Sequence, residues 1–343
     1  MLEIDGSHGE GGGQLLRTAV ALAALTGSAI RCHSIRVRRD KPGLAPQHLA
    51  AVHAVAELCG ARVDGLTVRS LEITFAPRGV RGGEFAFDVG TAGSVTLVLQ
   101  ALLPVMVAAG QDFRVRVSGG TDVRGAPPLD YLREVLLPLV ARMGVRAQLV
   151  TRCRGYYPRG GGTVEISVAA GTLRPLRLAT PGRVLRIDGL AHVAHLPAHV
   201  AERMRAAALE QLGPREAPVR CATAVLGEAE ALGQGGAVVM WAQCEHTVLG
   251  AGRVAQRGVR AEMLGEAAGR ELAADLAARA TVDVHAADQI LVYLALAGGV
   301  SSFTTRALSS HATTAMWLIE QFLPARFTAA PHDVLTRVAV APR

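Results

Sequence analysis

Apolar positions recur along this chain at two spacings, every second residue in short runs and every third or fourth in longer ones, and these runs follow an order that repeats three times. The repeated order is strand, glycine or small-residue turn, apolar helix, strand, second helix, then two closing strands. In the first copy the pattern predicts a strand over Met1–Asp5, a turn through Gly9–Gly13, a helix over Leu15–Leu25 and a strand over Ser28–Val37. A second helix over Pro46–Cys59 and strands near Arg62–Leu66 and Leu71–Ala76 complete it. The second copy opens with Glu84–Val89, turns at Gly90–Ser94 and continues as helix Val95–Ala109, strand Phe113–Ser118, helix Leu129–Met143 and strands Val145–Arg152 and Thr163–Val168. The third opens with a strand over Thr281–His285, followed by helix Asp288–Ala297, strand Ser301–Leu308, helix His311–Phe322 and strands Ala325–Ala330 and Val334–Val340.

Each copy makes a sheet with two helices on one face, and three such layers can bring their helices together around a shared core. The expected fold class is therefore α/β (α+β): three repeated units of four-stranded sheet plus two helices, with one smaller α/β domain inserted. The insert is read as residues 183–279, leaving 1–182 and 280–343 as the core. Its own pattern predicts strands at Val184–Asp188, Thr223–Leu226 and Ala237–Cys244 and helices at Ala198–Gln211 and Glu262–Ala278. Pro181-Gly182 reads as a hinge into the insert, and the glycine-rich Gly250–Gly258 stretch as a mobile loop.

Composition narrows the chemistry. With 343 residues and 50% hydrophobic content the chain can bury a large core. No apolar run reaches the roughly 18–20 residues that span a bilayer, and the N-terminus lacks a basic segment followed by an apolar one, so a cytoplasmic protein without membrane contact is expected. The five cysteines are scattered with no Cys-x-x-Cys pair, which suggests neither a zinc site nor a disulfide framework. Of the 36 basic residues all but Lys41 are arginine. There is thus no Gly-Lys-Ser/Thr triplet for a P-loop and no lysine-centred motif of ordinary nucleic-acid ligases. A net charge of +7 favours polyanionic partners.

Several motifs then carry candidate chemistry. Gly9-Glu10-Gly11-Gly12-Gly13-Gln14 lies between a strand and a helix, where backbone N–H groups can face a phosphate, Glu10 can hold a divalent cation and Arg17 can meet a phosphate oxygen. A purely structural glycine turn fits it equally well. Arg36, Arg38, Arg39 and Lys41 cluster ahead of Gln47 and His48, either as guanidinium forks for phosphate or as a solvated basic edge. Arg154-Gly155-Tyr156-Tyr157-Pro158-Arg159-Gly160-Gly161-Gly162 joins arginines, aromatics and a glycine triplet; a functional loop is favoured over a hairpin with packed tyrosines. His192, His195 and His199 have helical spacing, but Pro197 interrupts the helix, so solvated or locally bonded histidines are favoured over a metal site. His311 follows Ser309 and Ser310, either of which can cap a helix, and a helix start keeps the imidazole neutral and nucleophilic. A capping or packed histidine is the alternative.

Taken together, Asp5-Gly6 with Gly9–Gln14, Arg36 and Arg39 with Lys41–Leu44 and Gln47–Leu49, Gly93-Ser94 with Thr96–Gln100, Arg154–Gly162, and Ala287–Gln289 followed by His311 resemble the RNA 3′-terminal phosphate cyclase family. The resemblance spans essentially the whole chain, and the Arg-Gly-x-x-Pro-x-Gly-Gly-Gly segment is its most specific part. It implies three repeats similar to the C-terminal domain of translation initiation factor three plus one inserted α/β domain. It also implies that His311 attacks the α-phosphate of ATP to form histidyl-AMP, that AMP passes to the 3′-phosphate of an RNA end, and that the neighbouring 2′-hydroxyl closes a 2′,3′-cyclic phosphate. By the same resemblance the nucleotide pocket holds Gln100, Pro127, His285, Ala286, Ala287, Asp288 and Gln289. Glu10 matches a metal ligand for Mg²⁺ or Mn²⁺ near the phosphates, and Arg17, Arg36, Arg39 and Gln47 match polar positions lining the site. His285 departs from a tyrosine that can stack on adenine, and Ala315 from an asparagine found in some members.

Two other classes share this layout. Non-catalytic cyclase-like proteins of ribosome biogenesis lack the nucleophilic histidine, and enolpyruvyl-type transferases use no covalent nucleotide. His311 argues against the first, and Arg154–Gly162 against the second. The expected partner is RNA with a 3′-phosphate end; the sequence leaves open whether the chain forms a homodimer.

Overall fold

Gly27 and Gly60 end the two helices of the first unit, Gly13–Thr26 and Pro46–Cys59, by taking left-handed backbone angles (φ 68° and 58°) that a β-carbon disfavours. The structure is a computed structural model that describes residues 1–343. In the first unit Leu2–Asp5 runs parallel to Ile30–His33, and Ile73–Ala76 and then Arg62–Asp64 add antiparallel. The second unit repeats this order. Gly83–Asp88 pairs parallel with Phe113–Gly119, and Gly162–Ala169 and Arg146–Gly155 follow antiparallel. Its helices are Val95–Ala108 and a segment in three contiguous pieces, Leu129–Tyr131, the π-helical Leu132–Leu136, and Leu137–Ala141. Helices of the three units pack on one another, and 69 buried residues, nearly all from these units with Val239 and Val248 from the insert, form one continuous apolar core.

The third unit departs from the predicted pattern. No strand forms over Thr281–His285. Asp283 instead accepts hydrogen bonds from the amides of His285 (3.0 Å) and Ala286 (2.9 Å), which starts the helix Val284–Leu296 where the strand was expected. The sheet has three strands, Ser301–Thr305, Leu335–Pro342 and Ala325–His332. Its open edge is met by the chain just ahead of the insert: Leu178 N–H donates to Ser302 O (2.8 Å), Ser302 N–H donates to Leu176 O (2.9 Å), and Arg177 bridges Ser302 in parallel. The place of an opening strand is thus occupied by residues far upstream of the helix it precedes.

Residues 183–279 lend the short strand Ala231–Leu232 to the edge of the second unit's sheet beside Arg154 and Gly155, and otherwise form a fourth sheet, ordered Val219–Leu226, Val184–Ala194, Gly235–Cys244 and Val248–Val254. Helices Ala198–Leu212 and Ala261–Ala277 cover it, packed closely because a β-carbon at Gly265 or Gly269 would overlap backbone carbonyls of Met204 and Ala208. A separate cluster of 18 buried residues between Ile187 and Leu272 is their core. The stretch read as a mobile loop, Gly250–Gly258, begins as strand instead. Gly250 and Gly252 lie against Val135 and Pro128 of the second unit, where a β-carbon would overlap Val135 at the first and crowd Pro128 at the second. No helix is long and apolar enough to cross a membrane.

Candidate active site

A cleft of about 640 Å³ opens where the three units and the inserted sheet meet, within the roughly 300–1,000 Å³ typical of small-molecule sites. The first unit supplies Glu10, Gly13, Gln14 and Arg17 from its glycine turn and helix, and Arg36, Arg39, Gln47 and His48 from the next loop and helix. Gln100 and Pro127 come from the second unit, and His285, Asp288, Gln289 and His311 from the third. Ala286 and Ala287 do not reach the cleft: both are fully buried in the core, so their side chains cannot form part of a nucleotide pocket. Arg38 and Lys41 also stay outside it, exposed on the loop.

His311 sits in the first turn of Ser310–Phe322, and it is Ser309 that caps this helix, its Oγ accepting from Ala312 N–H at 3.0 Å. The same hydroxyl donates to Asp288 Oδ2 at 3.2 Å. His311 Nδ1 faces Glu10 Oε2 at 3.5 Å, with the imidazole still 41% exposed to the cleft. Burial holds its pKa below the ordinary 6.5, and the cations Arg17 and Arg39 push it the same way. The ring is therefore neutral at neutral pH.

Glu10 is set by the opposite end of the chain. Its N–H donates to Thr314 Oγ1 (3.1 Å), and Thr314 in turn donates to Ser310 O (2.7 Å), which locks the glycine turn onto the helix that carries His311. The glycines make room for functional side chains: a β-carbon at Gly12 would overlap the Glu10 carboxylate, and one at Gly13 would overlap His48 Nε2. Arg39 pairs with Glu10 and also donates to Glu10 O at 3.3 Å. Arg36 is less available, because its Nη1 donates to Lys41 O (3.0 Å) and Gly43 O (2.6 Å) and so closes its own loop.

Two buried donors face the cleft without an anion. Arg17 is 8% exposed, forms no ion pair, and its Nε has no hydrogen-bond partner; burial depresses its pKa to about 10, leaving it charged at neutral pH. His48 accepts from Ala45 N–H at Nδ1 (3.0 Å), so its proton lies on Nε2; burial, with Arg17 and Arg36, lowers its pKa to about 3. A buried guanidinium with no carboxylate is costly unless an anion completes it.

At the other end of the cleft, Gln100 Nε2 donates to Gln289 Oε1 (2.7 Å) and Gln289 Nε2 to His285 O (2.9 Å). His285 Nε2 lies 3.3 Å from Glu271 Oε2, whose hydrogen bond raises the imidazole pKa, and the ring stands edge-on to Tyr131 with centroids 6.4 Å apart. Burial raises Asp288 to about 7. Sequence reading missed Tyr131, Arg124 and the insert's Gly252, Arg253, Val254 and Gln256, all of which line the cleft. The spacing of Gly250 and Gly252 was the available signal for the last group, since alternate glycines in a strand mark a close backbone approach.

The Arg154–Gly162 motif, read as a functional loop, does not line the cleft, and its first arginine and first tyrosine are built into the protein interior. Arg154 is buried away from the cleft, with Nη2 donating to both oxygens of Asp130 (2.8 Å each) and Nη1 to Asp122 Oδ2 (3.1 Å). His192 Nε2 lies 3.0 Å from the same Nη1, and its Nδ1 3.1 Å from the buried Tyr156 hydroxyl. The guanidinium fills the space between Asp122, Asp130 and His192, so these three ligand-type residues hold a cation of the protein itself. His192 is accordingly buried and bonded, not solvated. His195 Nε2 lies 3.0 Å from Ala231 O, a local bond.

Comparison with known proteins places this arrangement. The family model described as RNA 3′-terminal phosphate cyclase matches residues 8–329. A protein of Nitrosospira multiformis named RNA 3′-terminal phosphate cyclase is 56% identical over 343 residues, covering 100% of this chain and 97% of its own. Proteins of the same name from Hyperthermus butylicus and Pyrococcus furiosus are 45% and 41% identical, each over 94% of this chain and 92% and 93% of theirs.

Proposed function

This chain belongs to the RNA 3′-terminal phosphate cyclase family, and from that premise we propose that it converts an RNA 3′-phosphate into a 2′,3′-cyclic phosphate at the expense of ATP, with His311 as the nucleophile. The observation that carries this reading is a neutral, half-exposed imidazole beside a carboxylate and an unpaired buried arginine in one cleft. Nδ1 is turned toward Glu10, which leaves Nε2 free for phosphorus. In the first step Nε2 attacks the α-phosphorus of ATP, the bond to the β-phosphate oxygen breaks, and pyrophosphate leaves. Glu10 balances the positive charge that develops on the ring. Arg17, with its vacant donor, and Arg39 are placed to take the charge of the phosphates.

An oxygen of the RNA 3′-phosphate next displaces His311 from the AMP phosphorus, giving a phosphoanhydride. The vicinal 2′-hydroxyl loses its proton as it attacks the RNA phosphorus, and AMP leaves. A DNA end has no such hydroxyl. A divalent cation, Mg²⁺ or Mn²⁺, fits at Glu10: the carboxylate is a hard oxygen donor, 15% exposed, on the wall that carries the arginines. Such ions take one or two carboxylates and complete their shell with phosphate oxygens and water. When bound, the ion would neutralise phosphate charge.

Incubation with α-labelled ATP and Mg²⁺, without RNA, tests the reading. A labelled, acid-labile adduct is expected in the parent protein and not in His311→Ala. Absence of the adduct from the parent would exclude the covalent route and favour a non-catalytic member of the fold.

A further inference from the structure

The inserted domain contributes one wall of the cleft through Gly252, Arg253, Val254 and Gln256. From His246 through Ala261 this edge carries three arginines, Arg253, Arg257 and Arg260, and no carboxylate at all. Arg253 is spoken for, since it pairs with Glu271. Arg257 and Arg260 are exposed and form no ion pair, and the nearby Glu262 is bound to Arg203. The second unit adds Arg124, which lines the cleft, is exposed and has no hydrogen-bond partner. Exposed arginines without an ion pair occur elsewhere too, Arg78, Arg81 and Arg220 among them; what sets Arg257 and Arg260 apart is that they continue the strand end whose Gln256 lines the cleft.

We propose that this unmatched basic edge, Gln256–Arg260 of the insert together with Arg124, holds the phosphodiester backbone of the RNA strand leading to the reacting 3′ end. The inference rests on the reading above for its substrate. Guanidinium groups on an exposed loop grip phosphates without regard to base, so such an edge would hold an RNA strand whatever its sequence. The nucleotide takes the interior of the cleft between His311 and His285, so the strand behind the terminal nucleotide must leave over the rim, where Arg124, Arg257 and Arg260 are exposed. The edge strand Val248–Val254 is pinned by Gly250 N–H donating to Asp283 Oδ2 at 3.0 Å, which fixes the wall relative to His311's unit.

The test is binding of a 3′-phosphorylated, fluorescently labelled ten-nucleotide RNA to the full chain without ATP, read by anisotropy across a salt series. Adduct formation with ATP is measured in parallel. For the double variant Arg257→Ala/Arg260→Ala the affinity for this RNA is expected to fall about tenfold, and the slope of log K against log salt to shrink by about 0.7 per lost contact. A dinucleotide with a 3′-phosphate, too short to reach the edge, is expected to bind parent and variant alike. Arg257→Lys/Arg260→Lys restores the slope. Unchanged affinity and slope for the ten-nucleotide RNA in the alanine variant would overturn the proposal. A parent that binds RNA but forms no adduct would count against the covalent reaction and leave this surface standing on the binding data.

Discussion

His311 Nδ1 and Glu10 Oε2 face each other at 3.5 Å across the boundary between the third unit and the first. Neither residue is placed by its own element alone. Ser309 fixes the helix start that carries the histidine, and Thr314 of that helix holds the backbone of the glutamate.

Acidification is expected to stop adduct formation only below pH 6.5, because burial, Arg17 and Arg39 all disfavour the imidazolium of His311. Arg39→Gln removes one of those cations, so the histidine pKa rises and the acid limb moves to higher pH. Rates at saturating ATP between about pH 5 and 8 would show this. A limb that stays in place would mean that Arg39 does not act on the ring.

Gly12→Ala separates folding from chemistry. Gly12 has φ −105°, an angle open to any residue, and the atoms nearest the new methyl are the carboxylate end of Glu10, a side chain that can swing aside. Stability to urea is expected to change by less than about 1 kcal/mol, while displacement of Glu10 lowers the adduct rate at least tenfold.

Thr314→Val keeps the shape of a buried side chain and removes its hydroxyl, leaving the Glu10 amide and Ser310 carbonyl without this partner. A loss of about 1–2 kcal/mol is expected. A slower adduct rate should accompany it, and raising ATP should not restore the rate if the defect lies in placing Glu10.

Arg154→Ala leaves Asp122 and Asp130 buried with no guanidinium between them. Removing one partner of such a cluster costs about 3–5 kcal/mol, measurable as a fall in the urea midpoint. Arg154→Lys is expected to rescue little, since an ammonium cannot span both oxygens of Asp130 and Asp122 together. If the variant were as stable as the parent and deficient only in nucleotide binding, the structural role assigned to Arg154 would be wrong.

Local signals in the sequence carried far where the cause was local. The helix Pro46–Cys59 begins at a proline and ends at a glycine, and both bounds could be read directly. Ser309 ahead of His311 marked a helix start for the same reason. Features made by tertiary docking were not legible in this way. The partners of Arg154 lie 32 and 24 residues upstream, so nothing local showed that its guanidinium is taken up by carboxylates. The strand expected at Thr281–His285 lost to an aspartate cap, and the sheet edge went to residues 176–178 on the other side of the insert. Arg253 and Gln256 reach the cleft only because the inserted sheet sets its edge strand against the second unit.

The bond between Glu10 N–H and Thr314 Oγ1 joins residues 304 positions apart. On a ribosome adding roughly 5–20 residues per second, the glycine turn waits about 15–60 s before the helix that completes it has been synthesised. Through that interval the turn has neither His311 nor the Thr314 hydroxyl to close upon. On the function proposed above, a nascent or prematurely terminated chain would be inert toward ATP, and the reaction would become available only once the third unit has been made.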